Sequence, residues 1–326
     1  MKRFLSLMLC GLMLLTASSC GTSQPDPETV GTIGETTFSA ELYRLLQLNV
    51  TRANPDASEK ELRQAVLEEM EHYAAVEARF QQLGGEMGEE GQAYVDQYAP
   101  TIWQQSQTEM EENGVDEATL EEYVAHLYRE DSLLTMVYGK DGEQPVSEGE
   151  ILDYARESLY YGVCVYLPLT GEENQSISND DQAKEQVLAA ARRIQQAASD
   201  EESMRNAASA ELPQVLALTE RTWNEEDLDS YVYANLFTPE NWEANLSEGA
   251  MEVLRNTDYG ACSVLENANS ITVFLRLDPQ GEYTAEDLRP YVTRMMKEGE
   301  LDEALAAQGA ELTHQLDESA VDAMWK

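Results

Sequence analysis

Positive charge is what this sequence has least of. Its 326 residues hold 21 lysines and arginines against 62 aspartates and glutamates, a formal net charge of -41 at pH 7. Nucleic acid is thereby excluded as a partner, because phosphate binding needs a basic stripe that the chain lacks. Anionic lipid headgroups would also repel it. Cysteine is scarce as well: there are four, Cys10, Cys20, Cys164 and Cys262, and only the last two follow Cys20. No disulfide framework can hold such a chain, so its stability must come from buried apolar cores. Long apolar runs are missing after Leu15, which leaves no later stretch of the roughly 20 residues that a membrane span needs. HExxH, CxxC, GxSxG and glycine-rich phosphate loops are absent too. Metal, thiol-redox, serine-hydrolase and nucleotide chemistry lack a signal, and neither cofactor nor metal is expected.

What is present begins with Lys2-Arg3, a mainly apolar stretch from Phe4 to Leu15, and the small residues Thr16-Ala17-Ser18-Ser19 before Cys20. This is the pattern of a signal peptide over residues 1–19. Small residues leading into Cys20 resemble the lipobox of bacterial lipoproteins, which implies that Cys20 receives a lipid and becomes the mature N-terminus. Ala17 stands where that pattern most often has leucine, and ordinary cleavage nearby is the alternative. Residues 20–28 then read as a tether, its GTSQPDPE rich in turn formers. The expected place of the protein is the extracytoplasmic face of the cell membrane, held by the lipid alone.

The remaining chain is long enough for two domains. VGTIGETTF, Val30–Phe38, predicts a small strand or hairpin turning at Gly34. Helices follow. Ser39 caps the first, and the capping box Ser58-Glu59-Lys60-Glu61 opens a long one in which Leu62, Val66, Met70, Tyr73, Phe80 and Leu83 recur at helical steps until Gly84-Gly85. A third helix is expected over Glu90–Glu112 and a fourth from Asp116, with a second capping box at Ser147-Glu150. From Tyr160 the texture changes. A strand is expected at Gly162–Leu169, a helix from Asp180, a short one over Glu201–Ala210, and a helix start at Thr238-Pro239. Strands around Tyr259–Leu265 and at Ser270–Leu277, a helix over Thr284–Ala307, a strand-like Glu311–Gln315 and a terminal turn complete the reading.

VGTIGETTFSAELYRLL, PVSEGEILDYARESLYYGVCVYLPL, LRNTDYGACSVLENANSITVF and ELTHQLDESAVDAMW, in this order, resemble the parvulin-type extracytoplasmic foldases, which include the SurA chaperones and the PrsA lipoproteins. The resemblance implies an α+β protein. A mainly helical chaperone domain, residues 29–159 and 282–326, would carry an inserted parvulin-like domain, residues 160–281, with a small antiparallel sheet. It implies a membrane-anchored folding factor whose partners are unfolded or partly folded exported proteins, met by apolar faces that the helices leave uncovered.

The family's chemistry is rotation about X-Pro bonds, which unaided takes tens to hundreds of seconds. Parvulins perform it over two histidines on adjacent strands, hydrogen-bonded with a cysteine or aspartate. Here all three histidines, His72, His126 and His314, lie outside residues 160–281. The first family position falls near Cys164 and the second on Ser270, so these are the candidate catalytic residues. The glycine-rich passage of the family is unrecognisable in LALTERTW, residues 216–223. Trp242, Leu246 and Met251 are candidates for the proline pocket, although their helical spacing reads better as helix core. A chaperone with little or no isomerase activity is therefore expected, the alternatives being an active isomerase and a solute-binding lipoprotein of a transporter. Cys164 and Cys262 would lie on strands that are not neighbours, about 9.6 Å apart, beyond disulfide reach. The many acidic pairs read as solvated helix faces that favour basic or neutral clients.

Overall fold

The computed structural model of the chain describes residues 28–171, 176–238 and 246–325. The protein is α+β, mostly helical with two small antiparallel sheets, which is the expected class. Parallel sheet lobes, the mark of the transporter alternative, are absent among the described residues. Two compact units divide the chain. One runs to Arg129 and resumes at Leu305, and the other is Glu130–Ala304.

The first unit opens with the hairpin β1 (Thr29–Ile33) and β2 (Thr36–Ser39), and β1 pairs on its other side with β7 (His314–Leu316). The approach of β7 dictates Gly31. A Cβ there would lie 2.3 Å from the Gln315 carbonyl oxygen, and the φ of 128° is one that side chains disfavour. Ser39 caps α1 (Ala40–Ala53) by accepting the Leu42 N–H at 3.0 Å. The capping box of α2 (Glu59–Gln82) forms as expected, with the Ser58 N–H donating to the Glu61 carboxylate at 2.8 Å. Next come α3 (Gly88–Glu112) and α4 (Glu117–Tyr138), which runs on past the unit's end. One apolar core joins Val30, Ile33 and Phe38 of the hairpin to Leu42, Leu46, Met70 and Tyr73, and a second joins Leu45 to Val95, Ala99, Leu120 and Val124. The expected terminal turn is instead a helix, α11 (Glu318–Ala323), because Asp317 accepts the N–H groups of Ser319 and Ala320. Beyond it the Trp325 Nε1–H donates to the Tyr43 hydroxyl at 2.7 Å.

The second unit is built on β3 (Tyr160–Pro168), β4 (Val232–Phe237), β5 (Cys262–Glu266) and β6 (Ser270–Leu277), in the order β4-β3-β6-β5. Its helices are α5 (Glu148–Ser158), α6 (Asp181–Ala197), α7 (Glu201–Leu218), α8 (Leu228–Tyr231), α9 (Glu248–Arg255) and the first part of α10 (Ala285–Glu311). Helix α7 does not stop near Ala210. Pro213 inside it costs about 3 kcal/mol, but Leu212, Val215 and Leu216 continue the buried stripe of Met204 and Ala208, and each buried aliphatic side chain contributes about 1.5–3 kcal/mol. Strand β4 was not expected. Its VYANLF is largely exposed and alternates too weakly to announce itself. Strand β5 starts three residues later than expected, since Asp258–Ala261 closes a turn with Gly260 at φ 76°. The helix start expected at Thr238-Pro239 reaches outside the described residues.

The two units divide inside α4 and α10, and the expected domain boundaries at 159/160 and 281/282 both lie within the second unit. The flanks of the expected insert belong with it for physical reasons: the Arg289 Nη1–H donates to the Val146 carbonyl at 2.7 Å, Tyr161 meets Tyr283 edge-on at 5.2 Å, and Arg156 pairs with Asp278 at 3.4 Å.

Candidate functional site

Strand alternation sorts the second unit's sheet into two faces. Val163, Val165 and Leu167 of β3 and Ile271, Val273 and Leu275 of β6 point to α6 and α7, where they meet Val187, Ile194, Met204 and Leu212. Cys164 and Phe274 point the other way, toward α9, and pack with Ala250, Met251, Leu254 and Leu265. Ser270 shares that second face, four residues from Phe274.

The two residues expected to replace the family histidines are thus on adjacent strands and one face, yet the register separates them. Cys164 stands opposite Phe274 on β6 and Tyr233 on β4, whereas Ser270 stands opposite Pro168. Four residues of strand put them roughly 14 Å apart along the sheet, too far for one hydrogen-bonded network. A phenyl ring occupies the place across from the thiol. Cys164 is fully buried, and burial pushes its thiol well above the ordinary range, so it stays protonated. The half-buried Cys262 is likewise pushed up by burial, to about 12. It pairs with Leu275 on the far side of β6, and the two cysteines are free, two strands apart.

Of the expected pocket residues, Met251 is buried in the Cys164 cluster and Leu246 packs against its edge, while Trp242 lies outside the described residues, as does Cys20. A groove of about 420 Å³ does lie beside α9, but Val253, Asn256, Thr257, Asp258, Ala261 and Ser263 line it, and neither Cys164 nor Ser270 does. At its floor the buried Thr257 and Ser263 hydroxyls bond each other, and the Thr257 hydroxyl donates to the Val253 carbonyl at 2.8 Å. Sequence reasoning missed this hydroxyl pair. Its signal was the turn between Asn256 and Gly260, which folds Thr257 back on the start of β5.

The histidines form a different arrangement in the first unit. His72 and His126 are buried. His126 stacks on Tyr73 with ring centroids 3.7 Å apart, and its Nδ1 lies 2.9 Å from Glu77 Oε1, the oxygen that also accepts from Arg129 at 2.8 Å. Burial alone would raise the Glu77 carboxyl. The bonds and charges of His126 and Arg129 outweigh it and hold the carboxyl below its ordinary value. His314 lies 3.4 Å from Glu71. Among the described residues no group of histidine, cysteine and carboxylate side chains is placed to hold a metal ion, and no helix is long and apolar enough to cross a membrane.

Fold and site together define an α+β protein in which one unit holds a sheet face that seals Cys164 and the other is a helical unit in which β7 pairs with β1. No protein-family description matches the chain. No curated protein matches it either. Among solved structures it is similar to the foldase protein PrsA from Lactococcus lactis, at 13% sequence identity and a TM-score of 0.38, over 92% of this chain and 98% of that one.

Proposed function

We propose that the chain is an exported, lipid-anchored folding factor that holds unfolded polypeptides and has little or no prolyl isomerase activity. The observation that carries the reading is the return of the chain's end to its beginning. Strand β7 pairs with β1 and Trp325 bonds Tyr43, so one helical unit is made from both ends of the sequence and a sheet domain is inserted between them, as the foldase resemblance of the sequence motifs implies. Loss of catalysis is supported by the sheet face itself. Rotation of a peptide bond faces a barrier of about 18–20 kcal/mol, and lowering it needs an open pocket with polar groups at its floor. Cys164 is sealed under Met251 and Leu254 and does not meet Ser270.

The test is refolding of a denatured protein whose slow phase is one X-Pro bond, with rate and yield followed together. The expected result is a higher yield at an unchanged rate. A faster slow phase that is lost in Cys164→Ala would establish the isomerase alternative, and an unchanged yield at stoichiometric ratio would remove the folding-factor reading. Anchoring is tested separately: Cys20→Ser is expected to move the protein from the membrane fraction to the soluble one.

A further inference from the structure

The groove beside α9 is separate from the sealed Cys164 face, and its hydrogen bonds fix what it can hold. The end of α9 and the residues just after it form one wall, where Glu252 and Asn256 stand one helical turn apart, as do Val253 and Thr257. The chain then turns, with the Ala261 N–H donating to the Asp258 carbonyl at 3.0 Å, and enters β5. Asp258, Ala261 and Ser263 thereby complete the lining. Its volume of about 420 Å³ falls within the range of small-molecule sites, about 300–1,000 Å³. Thr257 and Ser263 are 5% and 9% exposed, so the two hydroxyl residues of the floor are each more than nine-tenths buried.

Both hydroxyl hydrogens of that floor are spent. The Thr257 hydroxyl has one, and it goes to the Val253 carbonyl at 2.8 Å, which can only accept. The bond between the two hydroxyls must then run from Ser263 to Thr257. Ser263 Oγ is left as an acceptor onto which no group of the described residues donates. Asn256 spends one amide hydrogen on the Glu252 carbonyl at 2.9 Å and keeps its Oδ1. The carboxylates of Glu252 and Asp258 are exposed and have no cationic partner among the described residues. Arg276 donates to the Thr257 carbonyl at 2.7 Å, but its guanidinium lies over the rings of Tyr160 and Tyr259 and does not line the groove. Oxygen acceptors therefore predominate, and of the side-chain hydrogens in the lining only one, on the Asn256 amide, is unspent. Val253, 43% exposed, and Ala261 add an apolar wall.

We propose that this groove binds a primary alkylammonium group, the group that a lysine side chain or a free amine carries. An ammonium brings the three hydrogens and the positive charge that the lining lacks. It donates to Ser263 Oγ and to the carboxylates of Glu252 and Asp258, while its methylenes lie on Val253 and Ala261. Two exposed acids alone would be a solvated surface, and it is the buried Ser263 oxygen, with no hydrogen upon it, that marks the seat. The net charge of -41 draws cations toward the molecule as a whole. Such a site does not depend on the folding-factor reading.

The experiment follows the methyl signals of Val253 and Ala261 by NMR in the full chain, titrated with butylammonium, with a blocked Gly-Lys-Gly tripeptide, and with butanol as the uncharged control. Both signals are expected to shift saturably with an ammonium ligand, less strongly as salt rises, and not with butanol. The ligand that saturates at the lower concentration identifies the source, a polypeptide lysine for the tripeptide and a free amine for butylammonium. Ser263→Ala is expected to weaken binding about fivefold, and Glu252→Gln/Asp258→Asn about tenfold. Should Ser263→Ala disturb the sheet, seen as lost amide signals of β5 and β6, the exposed pair decides alone. Equal shifts with butanol, no saturation with either ammonium ligand, or native affinity in Glu252→Gln/Asp258→Asn overturns the proposal.

Discussion

The two units keep their polar groups in opposite ways. The first half-buries a carboxylate with the partners that hold it, Glu77 between His126 and Arg129 beside Tyr73. The second buries the uncharged thiol of Cys164 on its sheet face, and its depressed carboxyls, Glu150, Asp200, Asp287 and Glu300, are exposed. A half-buried carboxylate that depends on partners ties stability to pH, whereas a buried thiol does not within the ordinary range. The comparison teaches that the helical unit adds a partly buried, acid-sensitive contact at Glu77, while the Cys164 face has none.

The comparison can be broken by substitution. Phe274→Ala empties the centre of the Cys164 face and is expected to cost about 3–5 kcal/mol by denaturant unfolding, with the sheet unit losing hydrogen-exchange protection first. Glu77→Gln is expected to cost about 1–3 kcal/mol, since it leaves His126 and Arg129 partly buried without their carboxylate. A smaller loss from Glu77→Gln than from an exposed-cap variant such as Ser147→Ala, about 1 kcal/mol, would show that the network contributes nothing. Cys164→Ser is expected to cost about 1–2 kcal/mol by placing a hydroxyl among Phe274, Met251 and Leu254. Ser270→Ala is the smallest, within about 1 kcal/mol, because the backbone of Ser270, not its side chain, closes the β5–β6 turn by accepting the Asn267 N–H.

Acid sharpens the same contrast. Glu77 has a folded pKa below its unfolded value of about 4.3. The stability it contributes is therefore present above that value and is lost as pH falls through the lower, folded one. Below about pH 4.3 protection of α2 and α4 amides is expected to fall before that of β3 and β6. In Glu77→Gln this order should disappear, and hydrogen exchange followed across the acid range checks both statements.

Much of this was legible in the sequence. The capping boxes at Ser58 and Ser147 place two helix starts to the residue, because a cap is a local contact whose partners are three residues apart. The strands β3 and β6 announce themselves by continuous β-branched and aliphatic residues, since burial on both faces needs no alternation. What the sequence hid depends on register and tertiary packing. Cys164 and Ser270 lie on the right strands, but nothing local reveals that Phe274, not Ser270, stands across from the thiol. Helix α7 passes Pro213 only because the sheet beneath rewards three more buried residues. The stacking of His126 on Tyr73 and its contact with Glu77 join residues about fifty positions apart, which no local pattern announces.

One last consequence follows from the pairing of β1 with β7. A polypeptide emerges from synthesis with its N-terminal end first, and the hairpin and first helices arrive long before His314–Leu316. Until those residues appear, β1 has one neighbour and Tyr43 lacks Trp325. A part made early is thus among the last to be finished, and it waits through the closure of a loop of some 280 residues. A chain that stalled before β7 would carry the bare strand but never the completed unit, which makes β7 and Trp325 a seal on correct synthesis.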